Sequence, residues 1–428
     1  MRFEEETAGR MKLEIPYGDG WEILDLEDER VAGVLWPNRV ATGDDAAILR
    51  RAVEEPLGSP GLDDFLRGRE KVLIVVNDAT RPTPTAEVLE AILPNLAGRR
   101  LQILVATGSH RPPTDGENRW ILGKHYDALK GCIHVHDAKQ SDRFVLGKTR
   151  YGNELTLNRL VREADAVIPI GSIEPHYFAG YTGGRKSFMP GLAGYDTITA
   201  NHRLAISPAA QALVLEGNPV AEELDDAEEL LNPFPIFSIM TVLDGHGGIY
   251  AAAAGDLGRT FRSLLARADD VFVVPVSRRA EIVVTIARAP NDIDLYQSQK
   301  ALDNGKTALK EGGIIILVSA CRSGIGSRVF LDLLGSESTC QAVVAKLDRE
   351  YRLGYHKAGK MAEIGIKSKM WAVTPLDRNL IEQAKMRPFA SVSQALAEAF
   401  RIMGPQARAL FIMDGGLTIP RLESGGNE

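Results

Sequence analysis

Cysteine is scarce in this chain. Cys132, Cys321 and Cys340 are the whole complement, far apart and odd in number, which argues against a disulfide framework or a thiolate metal site and leaves them as buried apolar fillers. No apolar run approaches the ~20 residues of a membrane helix, and the acidic start MRFEEETAGR lacks the basic flank and apolar centre of a secretion signal. A cytoplasmic protein without membrane contact is the expectation. A basic surplus is missing too: the net charge is -7, so nucleic acid and anionic lipid find no electrostatic footprint. No internal repeat or low-complexity segment stands out. What remains is 44% hydrophobic and 25% charged over 428 residues, a globular composition with room for two domains.

Short apolar runs supply the framework. Met11 to Ile15 and Trp21 to Leu26 flank the turn-rich Pro16 to Gly20 and read as a hairpin leading into the first domain. Asp44 to Glu55 has helical composition. Lys71 to Val76 and Leu101 to Ala106 read as buried parallel strands, as does Ala164 to Gly171. Further strands are expected at Ile236 to Leu243, Val271 to Val274, Glu281 to Ala287, Gly313 to Ala320, Met370 to Val373 and Ala409 to Met413. Helical segments at 260–267, 327–334, 341–351 and 391–400 lie among them. Alternating strands and helices predict an α/β fold: two α/β domains with mostly parallel sheets, 1–276 and 277–428, the final segment left open to return to the first.

Strand ends that open into polar loops are where such folds keep their chemistry. The first such end reads Asn77-Asp78-Ala79-Thr80-Arg81-Pro82-Thr83-Pro84-Thr85. Its prolines stiffen the loop, Thr83 or Thr85 can cap the helix that follows, and Asp78 and Arg81 either hold an anion or pair with each other. The second end carries His110 after the Gly108 turn. His134 and His136 fall on one face of a strand but have no apparent third metal ligand.

The third end is the richest. ADAVIPIGSIEPHYFAGYTGGRKSFMPGLAGYDTITANH, from Ala164 to His202, packs His176, Arg185, Lys186, His202 and several glycines into one loop region. Glycine lets the backbone approach a ligand, so a nucleotide or phosphorylated cofactor is the natural suspect. Gly180 to Ser187 nearly fits a P-loop, but Arg185 stands where that pattern needs glycine, which removes ATP or GTP hydrolysis.

EPHYFAGYTGGRKSFMPG followed by NH, with NDATRPTPT upstream, resembles the nickel-pincer lactate racemase family, and the similarity covers essentially the whole chain. The resemblance implies a racemase or epimerase of a 2-hydroxy acid such as lactate or malate. It also implies nickel and a pyridinium-3,5-bisthiocarboxylic acid mononucleotide joined covalently to Lys186, with His202 on the metal and Thr80, Gly183, Gly184 and Arg185 around the cofactor. His110 and His176 would be the paired acid/bases. Arg81, Tyr296, Gln297 and Lys300 would bind substrate with Asp78 orienting one of these groups, in a cleft between the domains that closes on substrate. Cofactor-biosynthesis proteins would load the site. A non-catalytic protein binding a nucleotide, an anion or the nickel cofactor is the competing reading, and it has no use for two opposed histidines. A conventional NAD-dependent dehydrogenase is disfavoured because no strand leads into a convincing G-x-G-x-x-G.

Overall fold

The computed structural model describes residues 9–423, so most of the acidic start lies outside the described residues. The chain divides into two compact units: 39–271, and the residues up to Asn38 together with those from Phe272 onward. No helix among the described residues is long and apolar enough to cross a membrane.

The chain opens with the expected hairpin, β1 (Arg10–Tyr17) and β2 (Gly20–Glu27), in antiparallel register. Leu13, Ile15 and Leu24 alternate with polar residues and are buried. β3 (Val31–Leu35) follows. The middle unit then contributes β4 (Lys71–Asn77), β5 (Arg100–Ala106), β6 (Ile133–Val135), β7 (Arg143–Lys148), β8 (Glu154–Asn158), β9 (Ala166–Ser172), β10 (Pro175–His176), β11 (Gly180–Tyr181), β12 (Ser238–Leu243) and β13 (Ile249–Gly255). Six of them form one sheet in the order β13-β12-β9-β4-β5-β6, parallel except where β13 runs against β12. Its central strands are apolar on both faces because both are covered. Val72, Ile74 and Val76 pack with Ile103, Ile168 and the Val88, Leu89 and Ile92 face of the helix Thr85–Ile92.

The remaining strands are β14 (Val273–Val276), β15 (Ala280–Ile286), β16 (Leu309–Val318), β17 (Lys369–Val373), β18 (Arg387–Phe389), β19 (Ala409–Ile412) and β20 (Ile419–Leu422). A second six-stranded sheet, β18-β17-β16-β15-β19-β3, is parallel throughout, while β14 pairs with β20.

Several expectations change here. The opening hairpin belongs with the C-terminal half, because β3 hydrogen-bonds to β19 and Leu13, Ile15 and Leu24 join the core of Ile282, Val284 and Phe411. The last segment stays in that same unit through β20. The helix Leu257–Phe272 runs through what read as the start of a strand at Val271. Pro84, not a threonine, stands at the N-cap of Thr85–Ile92, and the Thr83 hydroxyl instead accepts from Asn77 and lies 3.1 Å from Ser172 Oγ. Of the cysteines only Cys321 is buried.

Candidate active site

β4 is the first strand of its sheet in chain order, with β5 on one side and β9 on the other. Parallel strands that diverge from a central one leave a crevice at their carboxyl ends. The loops after these three strands carry Asp78 to Arg81, His110, and Glu174 to Lys186, so residues far apart in sequence reach one edge of one sheet.

At the β4 end Asp78 is buried and its Oδ2 lies 2.7 Å from His110 Nδ1. Thr80 donates to the other oxygen from both its amide, at 3.0 Å, and its hydroxyl, at 2.6 Å. Burial alone would raise this carboxyl. The His110 charge and hydrogen bond, with those from Thr80, reverse it and hold Asp78 at about 2. An ionised carboxylate only accepts, so Nδ1 of His110 carries a proton, and in the neutral ring the lone pair is then on Nε2. Asp78 and Arg81 do not pair through their side chains: the Arg81 guanidinium faces Glu174 at 3.8 Å. Glu174 is itself buried and accepts from Ser172 and Thr182.

At the β9 end the loop doubles back through β10 and β11. Gly183 has φ +77°, and a Cβ there would meet Ser172 O at 2.7 Å, so only glycine lets the loop lie on the strand it has just left. Gly184 approaches Phe261 in the same way. The glycines thereby set down two adjacent cations with different surroundings. Arg185 is buried, ion-paired with Asp225, 3.9 Å from Glu228 and stacked 4.6 Å over Phe261. Lys186 is half-buried beside the Phe178 ring, its ammonium 5.5 Å from the centroid. Burial first, then the charges of Arg81 and Arg185, bring it down to about 7.

Phe178 gathers the rest of the constellation. His176 meets its edge at 4.5 Å and His202, near the end of the helix Tyr195–Arg203, lies 5.2 Å away. Ala179 N–H donates to His176 Nδ1 at 3.3 Å, which places the proton of the neutral ring on Nε2. The neutral rings of His110 and His176 thus hold opposite tautomers. His136, by contrast, is buried past the end of β6 and held by Ala193 O and Asn158, while His134 is exposed. They do not share a face and form no metal pair.

The structure fits a tethered, metal-carrying group in the middle unit. Ser187 Oγ, next to Lys186, is buried without a hydrogen-bond partner. Among the described residues no group of three His, Cys, Asp or Glu could hold a metal, so a metal on His202 needs its other donors from a cofactor.

In the other unit the helix Leu295–Gly305 follows the β15 end, capped by Asp294, which accepts from Gln297 N at 2.7 Å. Tyr296 and Gln297 lie in its first turn. Lys300 is half-buried and donates to Asn291 Oδ1 at 3.2 Å, so it is not a solvated surface lysine. Two residues here escaped the sequence reading. Lys357, on the helix Tyr355–Lys367, is buried with its ammonium 4.1 Å over the Tyr296 ring. Asp414, just past β19, is buried, and burial, opposed by Arg288 and the Gly416 amide, pushes its carboxyl up to about 6. The signal for Asp414 was its strand-end Met-Asp-Gly-Gly; Lys357 gave none, because its partner lies far away in the sequence.

Residues 17–213 match the lactate racemase N-terminal domain and residues 276–419 the lactate racemase C-terminal domain. The lactate racemase of Thermoanaerobacterium thermosaccharolyticum is 32% identical, over 96% of this chain and 99% of that protein. That of Lactiplantibacillus plantarum is 28% identical, over 94% and 98%. The solved structure of the T. thermosaccharolyticum lactate racemase apoprotein superposes with a TM-score of 0.89 at 31% identity, covering 96% of this chain and 100% of that one. A crystal structure of a Thermotoga maritima protein shares the fold, with a TM-score of 0.69 at 18% identity over 90% of this chain and 100% of that one.

Proposed function

Given that the chain belongs to the lactate racemase family and is an isomerase, we propose that it inverts the α-carbon of a 2-hydroxy acid, lactate or a relative such as malate. The reaction uses nickel held by His202 and a pincer nucleotide joined to Lys186. The observation that carries this reading is Lys186 itself: an amine brought to about 7 is substantially unprotonated at neutral pH, the form that can bond to an acyl or thioacyl carbon. Thr80, Gly183, Gly184 and Arg185 are assigned to the cofactor's surroundings, Thr80 by fixing Asp78 and Arg185 by anchoring the loop. When bound, the cofactor supplies a reversible acceptor for the α-hydrogen and its electron pair, so that the substrate passes through a planar 2-keto acid.

The chain's own residues move the hydroxyl proton. His110 takes it at Nε2, and Asp78 stabilises the imidazolium that results. The imidazolium form of His176 returns a proton to the keto oxygen when the mirror image forms and is left as a neutral ring; the 3.3 Å contact from Ala179 N–H to Nδ1 gives way while that ring is doubly protonated. Run in the other direction, the two exchange roles. Such a pair needs one protonated and one unprotonated ring, so racemisation should follow a bell-shaped pH profile. Arg81 and the cluster of Tyr296, Gln297 and Lys300 are assigned to the substrate's carboxylate and hydroxyl.

The test is intact mass and nickel content after co-production with a cofactor-assembly pathway. Wild type should carry an adduct that Lys186→Ala lacks. His110→Ala, His176→Ala and Asp78→Asn should keep the adduct and lose about 10²- to 10⁴-fold in racemisation. No adduct, with a functioning family member loaded in parallel, would overturn the reading. An adduct with no turnover of lactate, malate or other 2-hydroxy acids would leave a carrier protein.

A further inference from the structure

Glu223 lies in the helix Pro219–Leu231 and is fully buried. Its carboxylate accepts from Thr149 Oγ1 at 2.8 Å, from Asn153 Nδ2, and from Asn201 Nδ2 at 2.9 Å. All three donors are neutral groups, two from the turn between β7 and β8 and one from the helix Tyr195–Arg203. A buried carboxylate so arranged dictates the orientation of whatever reaches it, because it only accepts.

The consequence passes to Asn201, which is also buried. With Nδ2 committed to Glu223, its amide cannot be turned round without setting oxygen against oxygen. Oδ1 must then face the other way, where it lies 3.2 Å from His202 Nδ1. An amide oxygen cannot donate, so His202 Nδ1 carries the proton and its lone pair is on Nε2. Metal-binding histidines are commonly held by such a bond from the other ring nitrogen, which fixes both tautomer and ring plane.

We propose that Glu223 is a positioning residue that, through the Asn201 amide, locks His202 in its Nδ1–H tautomer and so makes Nε2 the metal-binding atom. The metal half rests on the reading of His202 as the nickel ligand; the tautomer half is a property of the cofactor-free protein. Glu223→Gln tests it sharply, because glutamine can donate to Asn201 Oδ1 and permits the flipped amide. Asn201→Ala removes the lock but leaves Glu223 its bonds to Thr149 and Asn153.

The first measurement is long-range ¹H–¹⁵N correlation on the full-length, cofactor-free protein labelled in histidine, with His202 assigned by its loss in His202→Gln. Wild type should show a protonated Nδ1 and an unprotonated Nε2, and both variants a mixture of tautomers. The second is nickel retention by the loaded protein in excess EDTA, where each variant should lose metal roughly 10- to 100-fold faster with the Lys186 adduct mass unchanged. A wild-type Nε2–H tautomer overturns the proposal, as does an unchanged tautomer with unchanged retention in the variants. If Glu223→Gln does not fold, the wild-type spectrum and Asn201→Ala still decide. An adduct at Lys186 together with the wrong tautomer removes this inference alone; a missing adduct removes the functional reading and leaves the tautomer result standing.

Discussion

Arg185 and Lys186 stand side by side with the same formal charge and meet burial differently. Arginine cannot shed its proton at any ordinary pH, so its burial has to bring in Asp225 and Glu228. Lysine can, and Lys186 does so at about 7. The unfolded chain binds this proton up to about 10.5, the usual lysine value, and the folded one only up to about 7, so between those limits the unfolded state carries more protons and stability rises with pH. Lys186→Met should therefore stabilise the cofactor-free protein at pH 7 by on the order of 3 kcal/mol and flatten that rise. Urea titrations at pH 7 and pH 10 decide it, and a variant no more stable than wild type at pH 7 would count against the depressed amine. Lys186, His202, His110 and His176 were legible in the sequence because each sits in a short motif. Glu223 was not, since a glutamate in the helical run Pro219–Leu231 looks like a solvated one until Thr149, Asn153 and Asn201 are brought to it.

Elements were read best where both faces are buried. β4, β5, β9 and β16 announce themselves as continuous apolar runs, and the hairpin by its turn. The helix Tyr355–Lys367 was missed because burying His356, Lys357 and Lys360 erases the apolar stripe that marks an amphipathic helix. Beyond that hairpin, strand neighbours were not legible: no local signal says that β9 lies against β4. The glycine loop, by contrast, is placed locally, folded back on β9 so closely that a Cβ on Gly183 would stand 2.7 Å from Ser172 O. Gly183→Ala should cost about 2–4 kcal/mol, from left-handed backbone and overlap together. Adduct formation at Lys186 should drop with it. Thermal unfolding and intact mass read the two effects, and a variant of wild-type stability would contradict the geometry.

At the scale of the whole molecule, two units share one chain unequally. The middle unit is continuous and has its own core and sheet, whereas the other is completed by its N-terminal piece. Removing the residues up to Leu35 takes Leu13, Ile15, Leu24 and Val31 out of the second core, about 1.5–3 kcal/mol for each. The expected result is a fragment whose C-terminal half is rapidly proteolysed while 39–271 persists as a resistant band. Equal resistance of both halves would sink this account. The division at Phe272 was half legible, because the polar stretch near Ser277 lies close to it; the return of β3 was not, because a short edge strand looks alike wherever it docks.

The same interleaving sets an order on biosynthesis. β3 leaves the ribosome early, yet its partner β19 is nearly the last strand made. At ~5–20 residues per second the wait is roughly 20–75 s. During that interval the apolar face of the opening hairpin has no native cover, while the loop bearing Lys186 belongs to a unit already complete. The loop around Lys186 can thus fold before the sheet that β3 completes can close, and the exposed hairpin is the segment that a holding chaperone would be expected to occupy.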